Sequence, residues 1–316
     1  MSKENIWGDN YMLQKNNNTE SDSCQDIIFR KLIRKKYANK DIIEYLESIN
    51  RKDKAIKIND CATQVGVTSE NGIAKIVKAN FCRERLCNIC AWRRQAKFIA
   101  QAKQLLNILG KDYQFIFVTL TIKNCGLNDL EQTVDQLLYG WNKLNKQRKI
   151  SRSWVGSIRS LELSYNHITN TFHPHIHTLI AVRKNYFDYE NYISLNELID
   201  RWQIALGIDY KPNVDIKKTY GNDETDGAIE TIKYSLKPSK YREALEGFHT
   251  VLSGRRLISF SGVFFRLRKE LELADYDSNL LDEVNDNNKS ISFDLYTFDV
   301  SGGYYRFNKT YELGGV

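Results

Sequence analysis

The stretch FHPHIHTLIAV, residues 172–182, decides how this chain is read. Apolar and polar residues alternate along it as they do in a half-buried β-strand. Strand side chains repeat every two residues, so His175 and His177 leave one face with their imidazoles side by side. The chain has five histidines, and three fall in positions 173–177; the third, His173, shares the face but sits nearer the preceding turn. Two adjacent neutral imidazoles are a metal-ligand arrangement, whereas one His alone is an ordinary core or surface residue.

Just upstream, SWVGSIRSLELSYN (153–166) reads as a second strand and NHITN (166–170) as the turn between the two. An antiparallel hairpin with Tyr165 opposite Phe172 sets Glu162 opposite His175 and Ser160 opposite His177. The carboxylate then joins the imidazoles as a three-ligand site with open positions, which suits Mn²⁺ or Mg²⁺ beside a phosphate. A slip of one residue would turn Glu162 to the other face, so the site depends on register.

A second constellation lies in TDGAIETIKYSLKP (225–238). Thr225 or Asp226 is placed to cap a helix that Pro238 ends. Ile229, Ile232 and Leu236 form its apolar stripe, and Glu230, Lys233, Tyr234 and Lys237 occupy the other face. A phenol between two ammonium groups and a carboxylate suits attack on a phosphodiester. The lysines hold phosphate and favour the phenolate, whose unperturbed pKa is about 10, and Glu230 can accept a proton. With 18 tyrosines in the chain, this face gains weight only beside the histidine strand.

Cys82, Cys87 and Cys90 form C-x4-C-x2-C, and Cys61 lies upstream in NDCATQ. Four thiolates grouped in this way suit tetrahedral Zn²⁺ in a knuckle that ties two segments together. Cys24 and Cys125 have no such pattern. The N-terminus MSKENIWGDN is polar and no apolar run reaches membrane-spanning length, so a reducing bacterial cytoplasm is expected, with zinc favoured over disulfides. Lys plus Arg number 46 against 39 acids, net +7. The excess gathers in RKLIRKK (30–36) and around the cysteines, where Trp92, Arg93 and Arg94 combine a ring with two cations, a pattern suited to DNA.

The chain divides into a polar, Asn-rich N-terminus (1–24) expected to be disordered, basic amphipathic helices (25–54) and the cysteine-rich knuckle (55–97). A sheet domain (98–273) follows, with helices from about Trp92 to Leu109, Asp129 to Lys146 and Leu195 to Leu206. An acidic linker and a C-terminal hairpin, SISFDLYTFDV and GGYYRFNKTYEL, fill 274–316. The expected class is α+β: an antiparallel sheet flanked by helices, with the knuckle upstream and a small hairpin at the end.

FVTLTIKN (117–124), HPHIHTL (173–179) and ETIKYSLK (230–237) are similar to the three ordered motifs of rolling-circle plasmid replication initiator (Rep) proteins of the HUH endonuclease superfamily. ANFCRERLCNICAWRRQAK (79–97) and RRLISFSGVFF (255–265) extend the resemblance over about residues 55–270. It implies that Tyr234 cuts one strand at a replication origin and becomes joined to the 5′ phosphate, leaving a 3′-hydroxyl. It implies that His175, His177 and Glu162 hold the catalytic metal, and that Glu230 activates water in the terminating cleavage. The partners implied are plasmid double-strand origin DNA, single-stranded or hairpin at the nick, and a host DNA polymerase; homodimer formation is left open. The chain has no G-x-x-x-x-G-K-[ST] motif, so unwinding is assigned to a host helicase. Rival readings are a transposase or relaxase of the same superfamily, a histidine-triad nucleotide hydrolase and a non-catalytic origin-binding protein. Relaxases carry the tyrosine ahead of the histidines, and the hydrolase reading leaves the cysteines and Tyr234 without a role.

Overall fold

The computed structural model describes residues 24–70, 72–188, 192–219, 241–252, 254–273, 280–281 and 291–313. Residues 1–23 of the N-terminus expected to be disordered, and the segment carrying Glu230, Lys233, Tyr234 and Lys237, lie outside them. The described chain starts with helices α1 (Cys24–Tyr37), α2 (Lys40–Ser48) and α3 (Lys52–Asn59), in which Leu32, Ile42 and Leu46 turn inward as the apolar spacing predicts. A hairpin of β1 (Gln64–Glu70) and β2 (Ile73–Ala79) follows, then the long helix α4 (Asn88–Leu109). This helix begins four residues ahead of the expected Trp92. Cys87, held extended at φ −61° and ψ 119°, is its N-cap, so Cys90 lies in the first turn instead of in a loop.

The central unit is β3 (Tyr113–Thr121), α5 (Leu127–Lys146), α6 (Arg148–Ser153), β4 (Trp154–Asn166), β5 (Thr171–Arg183), α7 (Leu195–Leu206), β6 (Val214–Lys218), α8 (Arg242–Leu252), β7 (Ile258–Ser261) and α9 (Gly262–Glu270). Its strands make one antiparallel sheet in the order β6-β3-β5-β4-β7. The hairpin forms in the register that the sequence implied: Tyr165 faces Phe172, Glu162 faces His175 and Ser160 faces His177.

Both sheet faces are covered, which is why β3 is almost continuously apolar. Ile116, Val118 and Leu120 of β3 and Ile176 and Ile180 of β5 pack with α5, α7 and α8. On the other face Phe115, Leu179 and Ala181 pack under α4 and α9. Continuing along β5 on that second face, the side chains become His177, His175 and His173. The helical layer is held by specific devices. Ser194 caps α7 by accepting the Glu197 N–H at 3.2 Å, Gly207 ends it in the left-handed conformation, and the buried Trp202 Nε1 donates to the Thr121 carbonyl at 2.8 Å.

The C-terminal strands β8 (Ile291–Asp299) and β9 (Tyr304–Leu313) do not stand apart. β8 pairs with β1, giving a second antiparallel sheet ordered β2-β1-β8-β9. Val65, Val67 and Ile76 of that sheet share a core with α1–α3 and the cysteines. Leu280, from the segment read as an acidic linker, is buried in the same core.

Gly262 fixes the start of α9. Its φ is +56°, and a Cβ there would lie 2.1 Å from the Val155 carbonyl oxygen. Gly262→Ala adds the left-handed penalty of about 1–2 kcal/mol to an overpacking penalty of about 1–3 kcal/mol. Thermal unfolding should show a melting temperature several degrees lower; an unchanged midpoint would refute this account of the β7–α9 junction.

Candidate functional site

The site is built by cross-strand pairing. Glu162 on β4 and His175 on β5 are direct neighbours, and His177 is two residues along β5 on the same face. Two imidazole nitrogens and one carboxylate oxygen converge: His175 Nε2 to His177 Nε2 is 3.1 Å, and Glu162 Oε2 lies 3.1 Å from His177 Nε2 and 3.5 Å from His175 Nε2. For an octahedral ion with bonds of about 2.1 Å, neighbouring ligand atoms sit about 3 Å apart, so this donor set fits one face of such an ion. Glu162 and His175 are 6% and 8% exposed, which shields the group from competing water on the sheet side.

The other ring nitrogens are engaged so that both Nε2 atoms face the centre. His177 Nδ1 is 3.0 Å from Thr119 Oγ1 on β3, and His175 Nδ1 is 3.1 Å from the carbonyl oxygen of His173. Such outer partners orient a ligating imidazole. Thr119 pairs with His177 across the sheet, so its position follows from the alternation of FVTLTIKN, although a lone Thr in a strand carries no signal of its own. Phe117 stacks on the His177 ring at 5.3 Å. His173 points its Nδ1 to Asn124 at 2.6 Å and stands beside the three-ligand group, not in it. Burial pushes the Glu162 carboxyl up, but hydrogen bonds to His175 and His177 and their charge outweigh it and hold the group at about 2.

Tyr241, the tyrosine following Tyr234 in sequence, belongs to the other side of the sheet. It stacks on His167 at 4.8 Å and packs against the core beneath α5 and α7, away from Glu162. Tyr234, Glu230, Lys233 and Lys237 lie outside the described residues, so no distance relates them to the histidines.

The four cysteines of the pattern meet as a second group, their sulfurs all within 4.8 Å of one another. Cys61 and Cys82 each lie 3.6 Å from Cys90 Sγ. A tetrahedron with metal–sulfur bonds of about 2.3 Å has edges of about 3.8 Å, far longer than a disulfide bond. Hydrogen bonds from the other three thiols hold Cys87 well below its usual range, against the burial that raises it. Asn39 Nδ2 donates to Cys87 Sγ at 3.5 Å, and the Cys82 N–H donates to Cys61 Sγ at 3.4 Å. Asn39 is 48 residues from Cys87, and no local pattern points to it.

The expected DNA contacts beside the cysteines fare differently. Arg93 is 4% exposed; its Nε donates to the Leu280 carbonyl at 2.9 Å and its guanidinium lies over the Trp92 ring at 5.4 Å. It is a buried structural cation, because α4 turns that position into the core, and the expectation that it touches DNA is corrected. Arg94 donates to the carbonyls of Arg83 and Glu84, bracing the loop between Cys82 and Cys87. Trp92 is half-buried against the same core.

A family model described as Rep_1, replication protein, matches residues 73–306, which run from β2 through Cys82, Cys87 and Cys90 and the histidine strand to the start of β9. The chain belongs to this family of replication proteins. Membership agrees with its resemblance to rolling-circle replication initiators. The replication protein is 32% identical over 237 residues to the "Protein rep" of Streptococcus pneumoniae serotype 2 (strain D39), covering 72% of this chain and 74% of the relative. It is 30% identical over 269 residues to the "Protein rep" of Bacillus amyloliquefaciens, covering 76% and 79%. To a "Protein rep" from a Bacillus species it is 33% identical over 261 residues, covering 73% and 85%. No solved structure matches the chain at a significant level. Among the described residues, no helix is long and apolar enough to cross a membrane.

The electrostatics of the replication protein's site are testable without metal. The Glu162 carboxyl is depressed from 4.5 to about 2, so its stabilising contact with the histidines is complete above pH 4.5 and is lost as pH falls toward 2. The Glu162 carboxyl carbon, followed by NMR in metal-free protein, should titrate near pH 2. A midpoint near 4.5 would mean the imidazoles do not hold it.

Proposed function

We propose that this replication protein initiates plasmid rolling-circle replication by nicking one strand of the double-strand origin. The observation that carries the reading is the convergence of Glu162, His175 and His177 on one sheet face in a chain of this family. Mn²⁺ or Mg²⁺ held by those three groups would supply positive charge to the oxygens of the scissile phosphate as negative charge builds there.

The covalent step belongs to Tyr234. Its hydroxyl oxygen bonds to phosphorus while the bond from phosphorus to the 3′ oxygen breaks; the phenol proton is given up and the departing 3′ oxygen takes one. One phosphodiester replaces another, so no ATP is required, and the free 3′-hydroxyl is a primer for a host polymerase. Lys233 and Lys237, one residue before and three residues after Tyr234 in sequence, hold phosphate oxygens while favouring the phenolate. Glu230 accepts a proton from water, or from another hydroxyl, in the cleavage that ends the cycle, when Tyr234 is already esterified. Strand closure follows by the reverse attack of a 3′-hydroxyl on the phosphotyrosine. Trp92 is assigned to DNA contact, unwinding to a separate helicase, and the setting to the bacterial cytoplasm.

The cysteine group is assigned a structural Zn²⁺ held by Cys61, Cys82, Cys87 and Cys90. Elemental analysis should find about one zinc per chain, and Cys87→Ser should lose it together with the fold of the surrounding module. Full zinc retention by Cys87→Ser would place the ion elsewhere.

The chemical proposal is tested by mixing the full chain with a labelled single-stranded origin oligonucleotide and Mn²⁺. A denaturation-resistant protein–DNA adduct is the expected product. Tyr234→Phe should abolish adduct and nick while leaving DNA binding within about twofold, because only a hydroxyl is removed. Undiminished adduct formation by Tyr234→Phe would overturn the assignment.

A further inference from the structure

A cavity of about 400 Å³ lies away from the histidines, at the seam between the cysteine module and the central sheet. Its walls come from α2 and α3, from residues 82–86 ahead of α4, from His249 of α8 and from Gly254. Among the described residues, Lys54, Arg83 and Arg85 line it against a single carboxylate, Glu84, over an apolar floor of Leu46 and Ile58. The internal pairing is loose: Lys54 Nζ is 3.8 Å from Glu84. Arg85 is fixed across the seam, its Nη1 donating to the Arg255 carbonyl at 2.6 Å, and Arg83 sits exposed at φ 60° in the turn after Cys82. Burial first, and then the charges of Lys54 and Arg51, press the His249 imidazole toward its neutral form, as expected where the local potential is positive.

The position of this cleft matters as much as its charge. Ala244 and Phe248 of α8 pack with Phe172 and Ile176, on the sheet face opposite His175. A short strand held at Glu162 and the histidines therefore does not reach His249 on the far side of the same sheet. Apart from His249, whose ring stands edge-on to Tyr45 at 6.2 Å, no ring among the described residues lines the cavity. Cations without stacking rings suit a phosphate and sugar chain and not an unpaired base.

We propose that this cleft binds the phosphodiester backbone of the duplex that flanks the nick, anchoring the origin through the cysteine module while cleavage occurs on the other sheet face. The inference rests on the reading of the chain as an origin-nicking protein. Its contacts are independent of base sequence, so they contribute affinity and placement, and origin specificity comes from elsewhere.

The test uses full-length protein, a long origin duplex and a titration of salt. Lys54→Gln and Arg83→Asn, the latter chosen because Asn tolerates the left-handed turn, should each weaken duplex binding. Each should also lower the slope of log K against log salt by about 0.9 for every phosphate that is no longer neutralised. Glu84→Gln should do the opposite and tighten binding, a gain that misfolding cannot imitate. Nicking of a short single-stranded oligonucleotide should be unchanged in all three variants. Unchanged duplex affinity and slope in Lys54→Gln and Arg83→Asn, or weaker binding by Glu84→Gln, would overturn the proposal. Inorganic phosphate at matched ionic strength supplies a further arm. Binding of phosphate that needs Lys54 and Arg83, without any effect of their loss on duplex affinity, would make this a free-anion site and also overturn it. Failure of the wild-type chain to nick the short oligonucleotide would count against the nicking reading alone, because duplex binding is read separately.

Discussion

The antiparallel register of β4 on β5 is the constraint on which the site depends. Strand side chains alternate, so one register brings Glu162 beside His175 and every neighbouring register of odd shift sends it to the face covered by α5, α7 and α8. The apolar residues enforce the choice. Leu161 and Leu163, and opposite them Ile176 and Pro174, occupy the alternate positions; Leu161, Leu163 and Ile176 are buried beneath α5, α7 and α8. A slip would take those leucines out of the apolar cluster in which they pack and put the ligands there instead. Hydrophobic burial on one face thus sets the chemistry of the other.

Once register is set, electrostatics refines it. A buried carboxylate without partners would be driven toward its neutral form, which could not serve an ion as well. The two imidazoles reverse that tendency for Glu162, and Thr119 and the His173 carbonyl keep both rings turned with Nε2 toward the centre. The group is preorganised by three strands, so little rearrangement is needed to receive a divalent ion.

The cysteine module has a different logic. Its core joins α1–α3, β1 and β2 to β8 and β9, so early and late elements of the described chain close on each other around four thiols. Arg93 illustrates the consequence. A basic residue next to Trp92 reads as a nucleic-acid contact, yet the helix phase of α4 carries it inward, where the Leu280 carbonyl receives it. Lys54, Arg83 and Arg85 line the seam with the central sheet, where Glu84 is the one carboxylate among the described lining residues.

Much of this was legible in the chain itself. Alternation along 153–182 and the turn at 166–170, with Tyr165 opposite Phe172, gave the register that brings Glu162, His175 and His177 together, and the structure has that register. The cysteine spacing was enough to bring Cys82, Cys87 and Cys90 together with Cys61. These are local patterns whose period is dictated by backbone geometry. What tertiary structure alone decided are the contacts made between segments distant in sequence. The pairing of β8 with β1, the approach of Asn39 to Cys87, the burial of Arg93 and the basic seam between α3 and α8 are of this kind. Their partners lie tens to hundreds of residues apart, and no periodicity in a single segment encodes which distant surface will cover it; that choice is made by the packing of whole elements into a common core.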